Sequence, residues 1–159
     1  MSDAAVWRYR LLRNLGRAVT RACAVLTLGR MPPFVSTSVI VTDGSRVLVV
    51  VDPIRKEPIL PGGHLAWAET PQEAAAREVL EETGMRVEIG ELLDVLGGAE
   101  STGEGGVVRV IYRGFATGGT LTSSGEGEAR WLEIADMLAS AGRDAPIVRR
   151  WFRLSEHEG

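Results

Sequence analysis

Residues 70 to 84 hold both the start and the stop of a helix, and this bounded helix, set among β-rich segments, constrains the fold more than any other feature of the chain. Thr70, Pro71, Gln72 and Glu73 read as a helix start, with threonine at the N-cap, proline at the first helical position and glutamate completing a capping box. Gly84 is a natural stop, because glycine takes the left-handed conformation that closes a helix. Between these signals Ala75, Ala76, Val79 and Leu80 gather on one face at about 100° per residue, and that face is expected to pack inward.

Strand patterns flank this helix. "FVSTSVIVT" and "RVLVVVD" are rich in β-branched residues and are joined by "DGS", a hairpin signal. "MRVEIGELLDVL" and "VVRVIYRGFAT" follow the helix, with "GGAESTGEGG" as a loop between them. "GGTLTSSGEGE" is a second flexible stretch leading into "ARWLEIADML", and "APIVRRWFRL" reads as a closing helix. Strands on both sides of a central helix, with more helix at the ends, predict an α/β domain in the layered α+β sense. At 159 residues the chain is long enough for one core and short for two.

The first 33 residues stand apart. Val6, Tyr9, Leu12, Leu15, Val19, Ala22 and Leu26 recur at three-and-four spacing, which predicts an amphipathic helix over 5–29 ended by Pro32 and Pro33. Arg8, Arg10, Arg13, Arg17, Arg21 and Arg30 face a single acid there, Asp3. The expected organisation is therefore an N-terminal helical extension over 1–33 and a domain over 34–159, with the extension laid against the domain or against a second copy in a homodimer. The alternatives are docking of its arginine face on a membrane surface or an acidic partner, and a poorly ordered tail.

Composition excludes several classes. With 45% hydrophobic and 25% charged residues and a net charge of −3, the chain reads as an ordinary globular protein with no global affinity for nucleic acid. The lone Cys23 permits no intramolecular disulfide and no Cys/His zinc cluster, so a reducing cytoplasm is expected. No stretch approaches the roughly 20 apolar residues that span a bilayer, and the uncharged "ACAVLTLG" is short for a secretion signal.

The bounded helix breaks one local rule repeatedly. Glu78, Glu81 and Glu82 fall within an arc of about 100°, where Glu78 and Glu82 repel at i,i+4. All three lie in the C-terminal half, where the helix dipole disfavours negative charge. Arg77 can pair with Glu81 and Glu73 but cannot neutralise three carboxylates. A divalent cation can, and Mg²⁺ or Mn²⁺ takes such hard oxygen ligands. The alternative is a merely solvated acidic face. Gly62 and Gly63, in the preceding turn, shift the balance toward a metal, since glycine lets the backbone approach closely and a main-chain carbonyl stand beside the carboxylates.

Gly63, five residues, Glu69, seven residues, then Arg77, Glu78, Val79, one residue, Glu81, Glu82, one residue, Gly84 and Met85 fill every fixed position of the Nudix box. On these 23 residues the chain resembles the Nudix hydrolases. The resemblance implies an α/β/α sandwich with a mixed central sheet, and hydrolysis of a nucleoside diphosphate linked to another group by water attack on phosphorus, with Mg²⁺ or Mn²⁺. By similarity Glu78 and Glu82 would be principal metal ligands, Glu81 a ligand or the water-activating base, and the Gly62 carbonyl a further ligand. Gly63, Glu69, Arg77 and Gly84 would be structural, Glu69 and Arg77 tying the loop to the helix as an ion pair.

Outside the box, Arg55 and Lys56 are candidates to contact substrate phosphate. Glu126 is the candidate for the extra glutamate that family members commonly recruit; Glu128, Glu100 and Glu104 are further candidates. Ala66 stands where many relatives carry glutamate, and Pro58 and Ile59 stand where an aromatic residue is frequent, so the substrate does not transfer with the resemblance. A regulatory module of the same fold is the rival class; it would be expected to have lost one of the box glutamates.

Overall fold

The structure, a computed structural model, describes residues 33–98, 106–125 and 127–155, together with 18, 19, 22, 23 and 25–28. Within them the strands are β1 (Phe34–Asp43), β2 (Arg46–Val51), β3 (Pro58–Ile59), β4 (Met85–Leu96), β5 (Val107–Gly119) and β6 (Glu128–Glu133). Helix α1 (Pro71–Thr83) lies between β3 and β4, and α2 (Ile134–Ala139) and α3 (Ala145–Ser155) follow β6.

The "DGS" signal does make a hairpin: Gly44 turns at φ +59 and Asp43 pairs with Arg46. Pairing between β1 and β2 extends only to Thr42 and Val47, and the strands then part. β1 continues parallel to β5, whose other edge carries β4 in antiparallel register. β2 is lined along its length by antiparallel β6, and its end at Val50 and Val51 pairs with the short β3. The sheet is therefore mixed, with β1 and β5 as its parallel pair.

Helices cover both faces. Ala75 and Val79 of α1 pack on Val39, Val41, Leu48 and Tyr112. On the opposite face Met137 of α2 and Val148 of α3 pack on Ile40, Val47, Val49, Leu60, Leu96 and Ile111. β2 is thus buried on both sides, which is why it reads as an unbroken apolar run rather than an alternating one. "ARWLEIADML" divides between β6 and α2, the chain turning where the Ile134 amide bonds the Ser45 carbonyl at 2.8 Å.

One expectation needs correction. The inward face of α1 consists of Ala74, Ala75, Val79, Glu82 and Thr83, whereas Leu80 is 47% exposed. The helix is rolled so that Glu82, and not Leu80, meets the interior, because the element beside it is a glycine loop that offers an amide to the carboxylate. In the N-terminal segment residues 18, 19, 22, 23, 25 and 26 are helical, and Val19, Val25, Leu26 and Leu28 are exposed in the single chain. The rest of the expected helix lies outside the described residues.

The core also holds an ion pair. Arg109 of β5 and Asp144, just before α3, are 2% and 0% exposed. The guanidinium grips both carboxylate oxygens, at 2.6 and 2.9 Å. Its Nε donates to Ser38 Oγ of β1 at 2.8 Å, and the Ser38 hydroxyl donates to the Thr37 carbonyl at 2.8 Å. The Leu60 amide donates to Asp144 Oδ2 at 2.8 Å across 84 residues of sequence. Burial pushes the Asp144 carboxyl up, but the charge and hydrogen bonds of Arg109, the charge of Arg143 and the Leu60 amide outweigh it, so the group titrates below its ordinary 3.8. A carboxyl depressed by folding lends stability above its unfolded pKa, and that stability is lost as pH falls through the folded value.

Removal of one partner strands a buried charge, so Asp144→Ala is expected to lower stability by about 3–5 kcal/mol at pH 7 in urea unfolding. Joint replacement, Arg109→Met with Asp144→Leu, should lower it far less. The joint variant should also lose less stability than the parent below pH 3.8, because it lacks the depressed carboxyl.

Candidate active site

Where β1 and β2 part, residues 61–65 run along the vacated edge of β1. The Leu65 amide bonds the Val35 carbonyl at 3.1 Å, the Thr37 amide bonds the Gly63 carbonyl at 2.8 Å, and the Val39 amide bonds the Pro61 carbonyl at 3.0 Å. The Gly62 carbonyl takes no part in this pairing. Gly62 has φ +151, and a Cβ there would overlap the Thr37 carbonyl oxygen and crowd Ser38. A Cβ on Gly63 would overlap the Glu78 carboxylate. The two glycines therefore answer two different demands: the first lets the loop lie flush on β1, and the second lets a helix carboxylate reach the backbone.

Helix α1 is fixed at both ends as its sequence predicts. Thr70 Oγ1 accepts the Glu73 amide, the Glu73 carboxylate accepts the Thr70 amide at 2.9 Å, and Gly84 closes the helix at φ +72 with its amide on Leu80. Glu73 is committed to this cap, so Arg77 pairs elsewhere. Its fork meets both oxygens of Glu69, at 2.7 and 2.9 Å. The same guanidinium reaches Glu78 at 2.9 Å, Glu81 at 3.1 Å and the His64 carbonyl at 3.2 Å. Arg77 thus gathers Glu69, Glu78 and Glu81 and ties the loop to the helix.

The third glutamate is held differently. Glu82, 6% exposed, accepts the Gly62 amide at 2.8 Å, so helix and loop touch through it directly. Glu78 is nearly buried at 14%, whereas Glu81, at 59%, stands in solvent. Hydrogen bonds from Arg77, then from the Ala66 amide, bring the Glu69 carboxyl down to about 2, so the loop clamp stays ionised throughout the neutral range. Hydrogen bonds to Glu69 hold the Arg77 guanidinium above its ordinary range.

Two carboxylates of unequal exposure thus border a backbone that only glycine allows so near. Thr37, on the α1 face of β1 with Val39 and Val41, adds a buried hydroxyl with no hydrogen-bond partner. Among the described residues no group of three or more His, Cys, Asp or Glu side chains is gathered closely enough to hold a metal ion by itself.

Arg55 and Lys56 lie on the turn after β2, exposed and outside the cluster around Arg77. The turn is firmly built: Asp52 Oδ1 accepts the Ile54 and Arg55 amides at 2.7 and 2.8 Å, and its carbonyl accepts the Lys56 amide at 2.9 Å. Lys56 is held at φ +60, uncommon for a residue with a side chain. Glu126, Glu100 and Glu104 lie outside the described residues, while Glu128 is exposed and opposite Val51 at the start of β6. His64 sets its ring edge-on to Phe34 at 6.3 Å. The sequence reading did not single out Asp52, Ser38, Arg109 or Asp144.

The chain matches the profile of the NUDIX domain over residues 32–154. It is 36% identical over 115 residues to a MutT-like protein of Streptomyces ambofaciens, covering 68% of this chain and 72% of the relative. It is 26% identical over 125 residues to an ADP-ribose pyrophosphatase of Methanocaldococcus jannaschii, covering 76% and 74%. A crystal structure of a NUDIX hydrolase from Nitrosomonas europaea superposes with a TM-score of 0.58 at 29% identity, over 65% of this chain and 58% of that one. With the box complete, its helix capped at both ends and its glycines set against the carboxylates, the chain belongs to the Nudix family of pyrophosphohydrolases.

Proposed function

We propose that the chain hydrolyses the diphosphate linkage of a nucleoside diphosphate joined to another group, using Mg²⁺ or Mn²⁺ held by Glu78 and Glu82 beside the Gly62 carbonyl. The observation that carries this reading is the fit of Glu78 into the space a Gly63 side chain would fill, next to the Glu82 bond with the Gly62 amide. Such packing has no use in a merely solvated acidic face. The bound cation would offset the charge of the diphosphate and polarise a phosphoryl oxygen.

The chain's own groups divide the remaining work. Glu81, exposed beside Arg77, would accept a proton as water oxygen bonds to phosphorus and the anhydride P–O bond breaks, or serve as a further cation ligand. Arg77 steadies the carboxylates through Glu69, Glu78 and the His64 carbonyl. Arg55 and Lys56, presented by the Asp52 turn, supply positive charge for the substrate's phosphates. The M. jannaschii relative makes ADP-ribose the first substrate to try. The lone Cys23 fits a reducing cytoplasm, and no helix among the described residues is long and apolar enough to cross a membrane.

Incubation with ADP-ribose, dinucleoside polyphosphates, nucleotide sugars and oxidised nucleoside triphosphates, each with Mg²⁺ or Mn²⁺, should release nucleoside monophosphate from at least one. Glu82→Gln keeps an acceptor for the Gly62 amide and should cost more than the roughly 100-fold in turnover typical of outer-shell partners. Full activity in that variant removes Glu82 from the site; no turnover by the parent under any condition sinks the reading. Arg55→Ala and Lys56→Ala should each raise KM about fivefold, in line with about 1 kcal/mol for an exposed charge pair, and leave kcat unchanged. An unmoved KM excludes them from phosphate contact.

A further inference from the structure

We propose that Asp144 and Arg109 are positioning residues for the hydrolytic site, acting through Leu60, Ser38 and Thr37 on the glycine loop. The inference rests on the metal-dependent reading above and extends it to residues outside the box.

The Asp144 carboxylate takes the Leu60 amide, two residues before Gly62, and so fixes the chain as it leaves β3. Arg109 takes Ser38 Oγ, whose hydroxyl donates to the Thr37 carbonyl. Thr37 and Ser38 form the floor on which Gly62 lies, closely enough that a single added carbon would overlap them. The Thr37 amide also holds the Gly63 carbonyl. One ion pair therefore sets both the start of the loop and the surface beneath it. The loop in turn presents the Gly62 amide to Glu82 and leaves room for Glu78 beside Gly63.

The geometry separates this role from core filling alone. A buried pair that only filled the core could be exchanged for apolar side chains of similar volume with little effect on the site. Here the exchange also takes away the acceptor of a buried amide in the loop, and a displaced loop displaces the oxygen ligands with it. Outer partners that orient metal ligands typically matter by about 10- to 100-fold in metal affinity or activity.

The test compares the full-length parent with two charge-neutral double variants. Arg109→Met with Asp144→Leu removes the Leu60 acceptor, and Arg109→Gln with Asp144→Asn retains a carbonyl oxygen there. Mn²⁺ binding is read from the free-ion paramagnetic resonance signal, Tm from calorimetry, and amide exchange from peptides covering residues 59–65. The apolar variant is expected to remain folded, to bind Mn²⁺ about tenfold more weakly or worse, and to exchange faster over residues 59–65, while the amide variant stays within about threefold of the parent. A folded apolar variant with parental Mn²⁺ affinity and loop exchange overturns the proposal. If the apolar variant is unfolded, Ser38→Ala decides: a folded variant with weakened Mn²⁺ binding and faster exchange over residues 59–65 supports the proposal, and a folded variant with parental binding and exchange overturns it. A parent that binds no Mn²⁺ sinks the functional reading itself, which distinguishes that failure from this one.

Discussion

A guanidinium and a carboxylate with almost no solvent can coexist in this core because each satisfies the other. Arg109 and Asp144 lie on elements far apart in the chain, and the strand, the glycine loop and the closing helix all meet at their contact. A pair of this kind is a weak source of net stability against an apolar alternative. Its directional hydrogen bonds do something an apolar cluster cannot, because they specify which amide is held and where. Leu60 is an example: its side chain belongs to the apolar core, whereas its amide is tied to a charge.

The splayed hairpin gives that anchoring its consequence. Had β1 and β2 paired along their full length, no edge would be left for residues 61–65. Because pairing stops at Thr42 and Val47, the loop completes the ladder of β1 and is as well hydrogen-bonded as a strand while still bearing two glycines. Backbone at the site is rigid through sheet pairing, and the open space beside it comes from missing side chains. The carboxylates of α1 fill that space from one side only, since the other is occupied by β1.

Much of this was readable from residue order. The cap at Thr70 and Glu73, the stop at Gly84, the four long strands and the crowded glutamates follow from local chemistry and appear where that chemistry puts them. The roll of α1 did not follow, because periodicity ranks Leu80 as inward and Glu82 as outward. The order reverses because this helix side meets two glycines, the first of which gives its amide to Glu82, a tertiary fact. Arg109 left a trace, since it shares the strand parity of the buried Ile111 and a cation at an inward position requires a buried anion. Its partner, 35 residues away in the turn before α3, carries no local mark.

Repulsion among Glu78, Glu81 and Glu82 is confined to the last turns of a helix whose other features agree with one another. Caps at both ends, an alanine and valine seam on the sheet and the Arg77 fork hold the helix in place, so the fold absorbs a few tenths of a kcal/mol per like-charge pair without rearranging. Sequences that break local rules in one place while keeping them around it are expected to do so where function requires it. The same reasoning limits what the box can specify. Its ordered groups are carboxylates, one guanidinium and backbone, which suit phosphate and cation but have no face shaped to a base or sugar. In the reaction proposed above, discrimination by base or sugar falls to side chains outside the box, while the Asp52 turn fixes the backbone from which Arg55 and Lys56 extend exposed.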